Sequence, residues 1–152
     1  MRRNDKEITD IQRIEEIIGK STICRLGLCR DNRAYIIPIN FGYRDKTLYF
    51  HSAREGTKVE ILKTNPEVCF EFDIDLGIVR KEREGCNWSS RYQSVIGFGK
   101  AVFIDEIEQK RDALDILMAN YSDQKFDYPF SSIENTLVFK VEISSITGKQ
   151  SI

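Results

Sequence analysis

Near the amino terminus apolar side chains recur at a helical interval: Ile11, Ile14, Ile17 and Ile18 share one face, ending at Gly19. Thr9-Asp10-Ile11-Gln12 reads as a capping box, so an amphipathic helix is predicted from Thr9. The period then shortens to two. Residues 21–29 place Thr22, Cys24, Leu26 and Leu28 on one face of a strand. Between Tyr35 and Tyr43 the odd positions Tyr35, Ile37, Ile39, Phe41 and Tyr43 form a packed face. The even positions include Pro38, Asn40 and Gly42, a face that is small, polar and short of a backbone donor. A turn at Arg44-Asp45-Lys46 returns the chain into Leu48-Tyr49-Phe50-His51-Ser52 as a hairpin.

After Ser52 the period changes again. Ser52-Ala53-Arg54-Glu55 and Thr57-Lys58-Val59-Glu60 read as overlapping capping boxes, and Val59 and Leu62 begin a short helix stopped by Asn65-Pro66. Val68, Phe70, Phe72 and Ile74 alternate with Cys69, Glu71, Asp73 and Asp75 as a further strand. Residues 76–91 carry the charges Arg80-Lys81-Glu82-Arg83-Glu84 and read as a solvated loop or the outer end of a hairpin. Gly97 and Gly99 mark a bulge, a bend or a close backbone approach in the strand from Tyr92 to Ile104. A third helix is predicted from about Asp105, burying Ile107, Leu114, Leu117, Met118 and Tyr121. A surface loop follows at Ser122 to Ser132, and a last strand, Thr136 to Ile146, buries Leu137, Phe139, Val141 and Ile143.

About six strands with hairpin-like links and about three helices exclude regular βαβ units and predict an antiparallel α+β fold, mainly β, closed into a barrel to hide its edges. The length, 152 residues, suits one domain over residues 1–152. Lys and Arg number 23 against 24 Asp and Glu, so no basic field collects nucleic acid or an anionic bilayer, and no apolar run is long enough to span a membrane. The charged start, Met1 to Glu7, lacks the apolar stretch of a signal peptide, which predicts a cytoplasmic protein. Cys24, Cys29, Cys69 and Cys86 form no C-x-x-C pair, and Cys24 and Cys29 face opposite sides of their strand. Reduced thiols are expected and no metal site.

His51 is the single histidine, and no G-x-S-x-G elbow, Rossmann fingerprint or P-loop is present. The segment His51 to Lys58 is the alternative anion site. Ser52, Arg54, Gly56, Thr57 and Lys58 bring hydroxyls and cations to a helix start, where a phosphate monoester is held. Many helices start this way for solubility alone, so the segment in isolation leaves both readings open. The Pro38-Ile39-Asn40 face leaves room for a flat heterocycle on main-chain groups, or marks an edge strand that ends in a turn.

Four ordered motifs, Tyr35 to Tyr43 (YIIPINFGY), Leu48 to Lys58 (LYFHSAREGTK), Asn65 to Phe70 (NPEVCF) and Tyr92 to Ala101 (YQSVIGFGKA), resemble the pyridoxamine 5'-phosphate oxidase-like flavoproteins, in particular the nitroimidazole-resistance (Nim-type) subfamily. The resemblance covers about residues 1–147. It implies a split β-barrel and a homodimer with FMN in the cleft between the two subunits. Residue by residue, it implies that Ile37, Pro38, Ile39 and Asn40 face the isoalloxazine ring, and that His51 and Ser52 are the aromatic-hydroxyl pair at the next strand end. The basic pair that holds the phosphate falls at Thr57 and Lys58, so one Arg is replaced by Thr. The platform Arg falls at Ile36, with Arg54 the candidate compensation, and a glutamine near the ribityl chain falls at Ser94.

The oxidases' substrate-binding tail of Trp and Arg is missing: the single Trp is Trp88, and the chain near its end reads Ser144-Ser145-Ile146-Thr147-Gly148-Lys149. Vitamin-phosphate oxidation is therefore not expected. The implied activity is an FMN-dependent oxidoreductase that reduces a small electron-poor substrate such as a nitro compound, with NADH or NADPH as donor and His51 lining the cleft as hydrogen-bond partner or proton donor. The alternative is a non-enzymatic module that holds flavin, or haem through His51.

Overall fold

A computed structural model describes residues 3–81 and 84–152. Met1, Arg2, Glu82 and Arg83 lie outside the described residues, and with them part of the charged amino terminus and of the charged segment 80–84. Among the described residues the elements run β1 (Glu7–Ile8), α1 (Ile11–Lys20), β2 (Cys24–Arg30), β3 (Arg33–Ile39), β4 (Gly42–Arg44), β5 (Thr47–Ser52) and α2 (Thr57–Thr64). After them come β6 (Glu67–Val79), β7 (Ser89–Ile104), α3 (Ile107–Ala119), α4 (Phe130–Asn135) and β8 (Leu137–Ser151). All eight strands belong to one sheet with the order β3-β2-β6-β7-β8-β5-β4, and β1 pairs with β8. Each pairing is antiparallel.

The two ends of that order, β3 and β4, are neighbours in the chain, separated by Asn40 and Phe41 alone. The three Cα steps from Ile39 to Gly42 reach no more than about 11 Å, so the sheet has to curl to bring its edges together. The result is the split barrel expected from the motifs. Tight turns support it: Asp31-Asn32 and Asp45-Lys46 adopt positive φ at both central positions, as two-residue hairpins require.

The period-2 pattern fills the barrel. Cys24, Leu26 and Leu28, Leu48 and Phe50, Val68, Phe70 and Phe72, Val95, and Phe139 and Val141 are all buried. Phe41, at the break, packs its ring 4.7 Å from Phe72, and Phe50 stacks on Phe139 at 5.0 Å. Gly97 is a packing requirement, because a Cβ there would lie 2.1 Å from the Phe70 ring. The register shift between Phe98 and Gly99 is the bulge that the two glycines announced. Ile14, Ile17 and Ile18 of α1 and Ile61 and Leu62 of α2 join the same core, while Ala113 of α3 packs with Ile104 and Val138 outside it.

Several local expectations change. Asp10 rather than Thr9 caps α1, its carboxylate accepting the Gln12 N–H at 3.0 Å, and the helix runs past Gly19 to Lys20. Neither capping box after Ser52 forms. Gly56 occupies the N-cap of α2 and Thr57 is already helical, while the Ser52 hydroxyl donates to its neighbour's carbonyl, Ala53 O, at 2.8 Å. The predicted strand 35–43 breaks at Asn40-Phe41 into β3 and β4, because it has to pass from one sheet edge to the other. The described part of 76–91 proves to be the outer end of a hairpin, with Ile78 opposite Ser90 and Val79 opposite Ser89. In α3, Lys110 and Ile116 are buried, whereas Tyr121 lies past the helix end and is partly exposed. The loop predicted at 122–132 runs into a short helix, α4, anchored by Ile133. β8 extends beyond Ile146 to Ser151 because both β7 and β1 pair with its second half.

Candidate functional site

Three chain segments meet beside the barrel: the end of β5, the start of α2 and the hairpin of β2 and β3. Leu48 and Phe50 point inward, so Tyr49 and His51 face out, and β5 ends at Ser52. Four residues later Gly56 takes φ 116 and ψ 168, a backbone conformation that L side chains avoid; space is not the constraint there, since an added Cβ would meet nothing within 4 Å. The Gly56 carbonyl accepts from Val59 N–H (2.9 Å) and Glu60 N–H (3.1 Å). The N–H groups of Thr57 and Lys58, at the positive end of the helix, have no intrahelical acceptor, and no side chain caps α2.

Cationic groups collect around those donors. Partial desolvation and the nearby Lys58 ammonium, in that order, lower the His51 pKa, and burial lowers that of Lys58. Both bases therefore resist charging, and a negative group placed between them relieves both. Thr57 also lines a cleft of about 370 Å³ with Arg30, Asp31, Arg33, Ala34, Tyr35 and Ile61. Arg30 is drawn toward Glu60 (3.5 Å) and Asp31 (4.0 Å), whereas Arg33 has no ion-pair partner among the described residues.

The platform residues divide by side. Ile37 and Ile39 pack against the core and offer only main chain outward, while Pro38 and Asn40 are exposed on the outer side. Asn40 is fixed by its neighbour: Phe41 N–H donates to the Tyr121 hydroxyl at 3.0 Å, and that hydroxyl donates to Thr22 O at 2.9 Å. Arg54 does not face the helix start, since its guanidinium donates to the Glu134 carbonyl of α4. The neighbouring carbonyls of Ile133 (3.4 Å) and Thr136 (2.9 Å) accept from the Lys110 ammonium. Ser94 sits on β7 between Asp73 and Lys149, three strands from β3 and so about 14 Å away across the sheet.

The structure thus brings His51, Thr57 and Lys58 together and leaves Arg54 and Ser94 apart from them. The sequence pattern placed Tyr35 and Tyr121 among packing residues and assigned Arg33 and Lys110 no role. Two carried a usable signal: Asp31-Asn32 is a hairpin turn that places Arg33 at a strand start, and Lys110 interrupts the apolar stripe of α3 between Ile107 and Leu114.

Comparison with known proteins fits this geometry. Residues 10–150 match the model of the family described as pyridoxamine 5'-phosphate oxidase. A candidate 5-nitroimidazole antibiotic resistance protein from Bacteroides thetaiotaomicron is 40% identical, with 94% of this chain and 85% of that one covered, and superposes with a TM-score of 0.83. The FAD and heme binding protein of Mycobacterium smegmatis has the same fold at 22% identity, covering 96% of this chain and 73% of that one with a TM-score of 0.87. An uncharacterised protein of Rhizobium meliloti is 31% identical over 55 residues, so the chain spans only 36% of the length of that curated relative. The chain belongs to the pyridoxamine 5'-phosphate oxidase family, on its nitroimidazole-resistance side.

Proposed function

We propose that this protein is a cytoplasmic flavoprotein that holds FMN between two copies of the chain and uses it to reduce a small electron-poor substrate such as a nitro compound, with NADH or NADPH as donor. The observation that carries the reading is the corner at the start of α2. Uncapped N–H groups of Thr57 and Lys58, the Lys58 ammonium and the His51 imidazole converge there, and Lys58 and His51 have depressed pKa values. A phosphate dianion fits that donor set. Lys58 supplies the charge, Thr57 its hydroxyl and N–H, and Arg33 a second cation across the cleft in place of the one lost at Ile36. Pro38 and Asn40, with the main chain of Ile37 and Ile39, offer a flat surface for a ring, and Ser52 stands beside His51 at the strand end. Arg54 is tied to α4 instead, and Ser94, opposite Asp73 and Lys149 on β7, lies away from this corner.

Bound FMN supplies hydride transfer. Conversion of a nitro group to nitroso and water takes a hydride from the nicotinamide and one further proton. His51, whose basicity is lowered by partial burial and then by Lys58, serves first as a hydrogen-bond partner. A phosphate that neutralises Lys58 removes the smaller of the two effects that lower the imidazole's basicity and so favours its carrying that proton. The test is purification and reconstitution: the protein should be yellow with stoichiometric FMN, and the loaded protein should oxidise NADH or NADPH in the presence of a nitroaromatic. A colourless protein that ignores FMN and instead gives a Soret band with haem would overturn the reading.

A further inference from the structure

The ladder of β5 and β8 ends at the pair Ser52 and Leu137, and the two segments that leave it there are joined again by one side chain. Ahead of Leu137 the chain is α4, which ends at Asn135; after Ser52 it is the loop 53–56 that leads into α2. The Arg54 guanidinium crosses from the loop and donates to the Glu134 carbonyl. Among the described residues this is the one hydrogen bond that ties the loop to a distant element. The Ala53 carbonyl accepts from the adjacent Ser52 hydroxyl, and the Gly56 carbonyl accepts from N–H groups of α2 itself.

The two sides of that tie differ in stiffness. The end of α4 is a fixed post: Ile133 is buried, and the buried Lys110 ammonium donates to the carbonyls of Ile133 (3.4 Å) and Thr136 (2.9 Å), on either side of the Glu134 carbonyl that Arg54 uses. The Thr136 hydroxyl donates to Ser132 O at 2.7 Å, so the last turn of α4 is held by three side chains. Cations on the final carbonyls of a helix are the favourable pairing with its dipole. The loop is the soft side. All four of its residues are exposed, and Gly56, at φ 116, has other conformations open to it at no steric cost. A change there would swing the N–H groups of Thr57 and Lys58 out of line.

A loop that has to be ordered when its ligand arrives lowers affinity, and one already moored does not. We propose that Arg54 is a positioning residue for the phosphate corner: it moors the loop 53–56 to the end of α4 and so aims the Thr57 and Lys58 N–H groups, and a phosphate held by those groups steadies α4 in return. Arg54 contacts α4 and not the ligand. Lys110 belongs to the same device, because it fixes the carbonyls on either side of the one that Arg54 grips. The effect runs both ways, since whatever the mooring contributes to phosphate binding, phosphate binding contributes to the mooring. The inference rests on the phosphate reading of this corner and adds what keeps the corner in shape.

Titration with FMN and with riboflavin reads this role, because a general loss of structure would weaken both ligands alike. Arg54→Ala should weaken FMN about ten-fold and leave riboflavin nearly unchanged, and Arg54→Lys, which keeps a cationic donor for the same carbonyl, should recover most of the loss. Lys110→Met should weaken FMN in the same direction, and the double variant should lose less than the product of the two single losses, because both break one link. A further measurement uses the unaltered protein: FMN should slow hydrogen exchange at the Ile133 and Thr136 amides of α4 more than riboflavin does at equal saturation. An Arg54→Ala protein that keeps the parent's preference for FMN overturns the positioning role. So does α4 exchange indifferent to FMN, or losses that multiply in full, the mark of an arginine that touches the phosphate itself. A parent that binds FMN no better than riboflavin overturns the phosphate corner, and this inference with it.

Discussion

Replacing Lys58 by Ala deletes one of the two side-chain cations assigned to the phosphate and leaves the N–H groups of α2 in place. A hydrogen bond to a charged group contributes roughly 1.5–3 kcal/mol, about a 10- to 150-fold change in dissociation constant. Burial already lowers the Lys58 pKa, so its ammonium is partly desolvated before any ligand arrives, which places the expected loss in the upper half of that range. The same change removes the charge that, after desolvation, depresses the His51 pKa, so the imidazole should titrate higher in the variant. Fluorescence titration with FMN and with riboflavin separates the outcomes, because riboflavin has no phosphate. FMN binding should weaken about 40- to 150-fold and riboflavin binding hardly at all, with the His51 proton titration displaced to higher pH. Equal weakening of both ligands, or none of either, would refute the phosphate assignment.

His51 offers a pH test. Its folded pKa lies below its unfolded value, so the unfolded chain binds more protons near pH 6; the apo protein should lose stability as pH falls through the ordinary histidine range, and FMN should flatten that slope in thermal melts. His51→Ala should keep the fold, abolish this slope and alter flavin affinity or turnover. Tyr121→Phe removes the acceptor for Phe41 N–H and the donor to Thr22 O; a loss of about 1–2 kcal/mol in urea unfolding is expected, with FMN and riboflavin weakened alike because the platform rather than the phosphate corner loosens. Gly97→Ala forces a methyl against the fully buried Phe70 ring and should destabilise by about 1–3 kcal/mol or block folding, whereas Gly19→Ala, with open space around it, should slightly stabilise α1.

Where burial alternates in one chain, the sequence was legible: the inward sets Leu26 and Leu28, Phe70 and Phe72, and Phe139 and Val141 follow directly from period two. Gly97 and Gly99 were readable for the same local reason. The break at Asn40-Phe41 was not, because nothing in YIIPINFGY says that its two halves belong to opposite edges of a sheet. That fact comes from strands contributed by the rest of the chain. Capping failed where two candidates compete within a few residues, as Thr9 lost to Asp10 and Thr57 to Gly56. At the site, the strand end and the helix start were visible as a contiguous run. The tie of Arg54 to Glu134 and the cleft that Arg33 and Thr57 both line join residues far apart in the chain, and no local pattern encodes them.

Pro38 has a consequence beyond the ring platform. β3 pairs on one side only, with β2, and its other side borders the split. An unpaired strand edge is a template on which a foreign strand can grow, and a proline in its middle removes one of the donors such growth requires. The residue that leaves the outer surface of β3 short of a hydrogen-bond donor therefore also guards this exposed edge against adding strands without end.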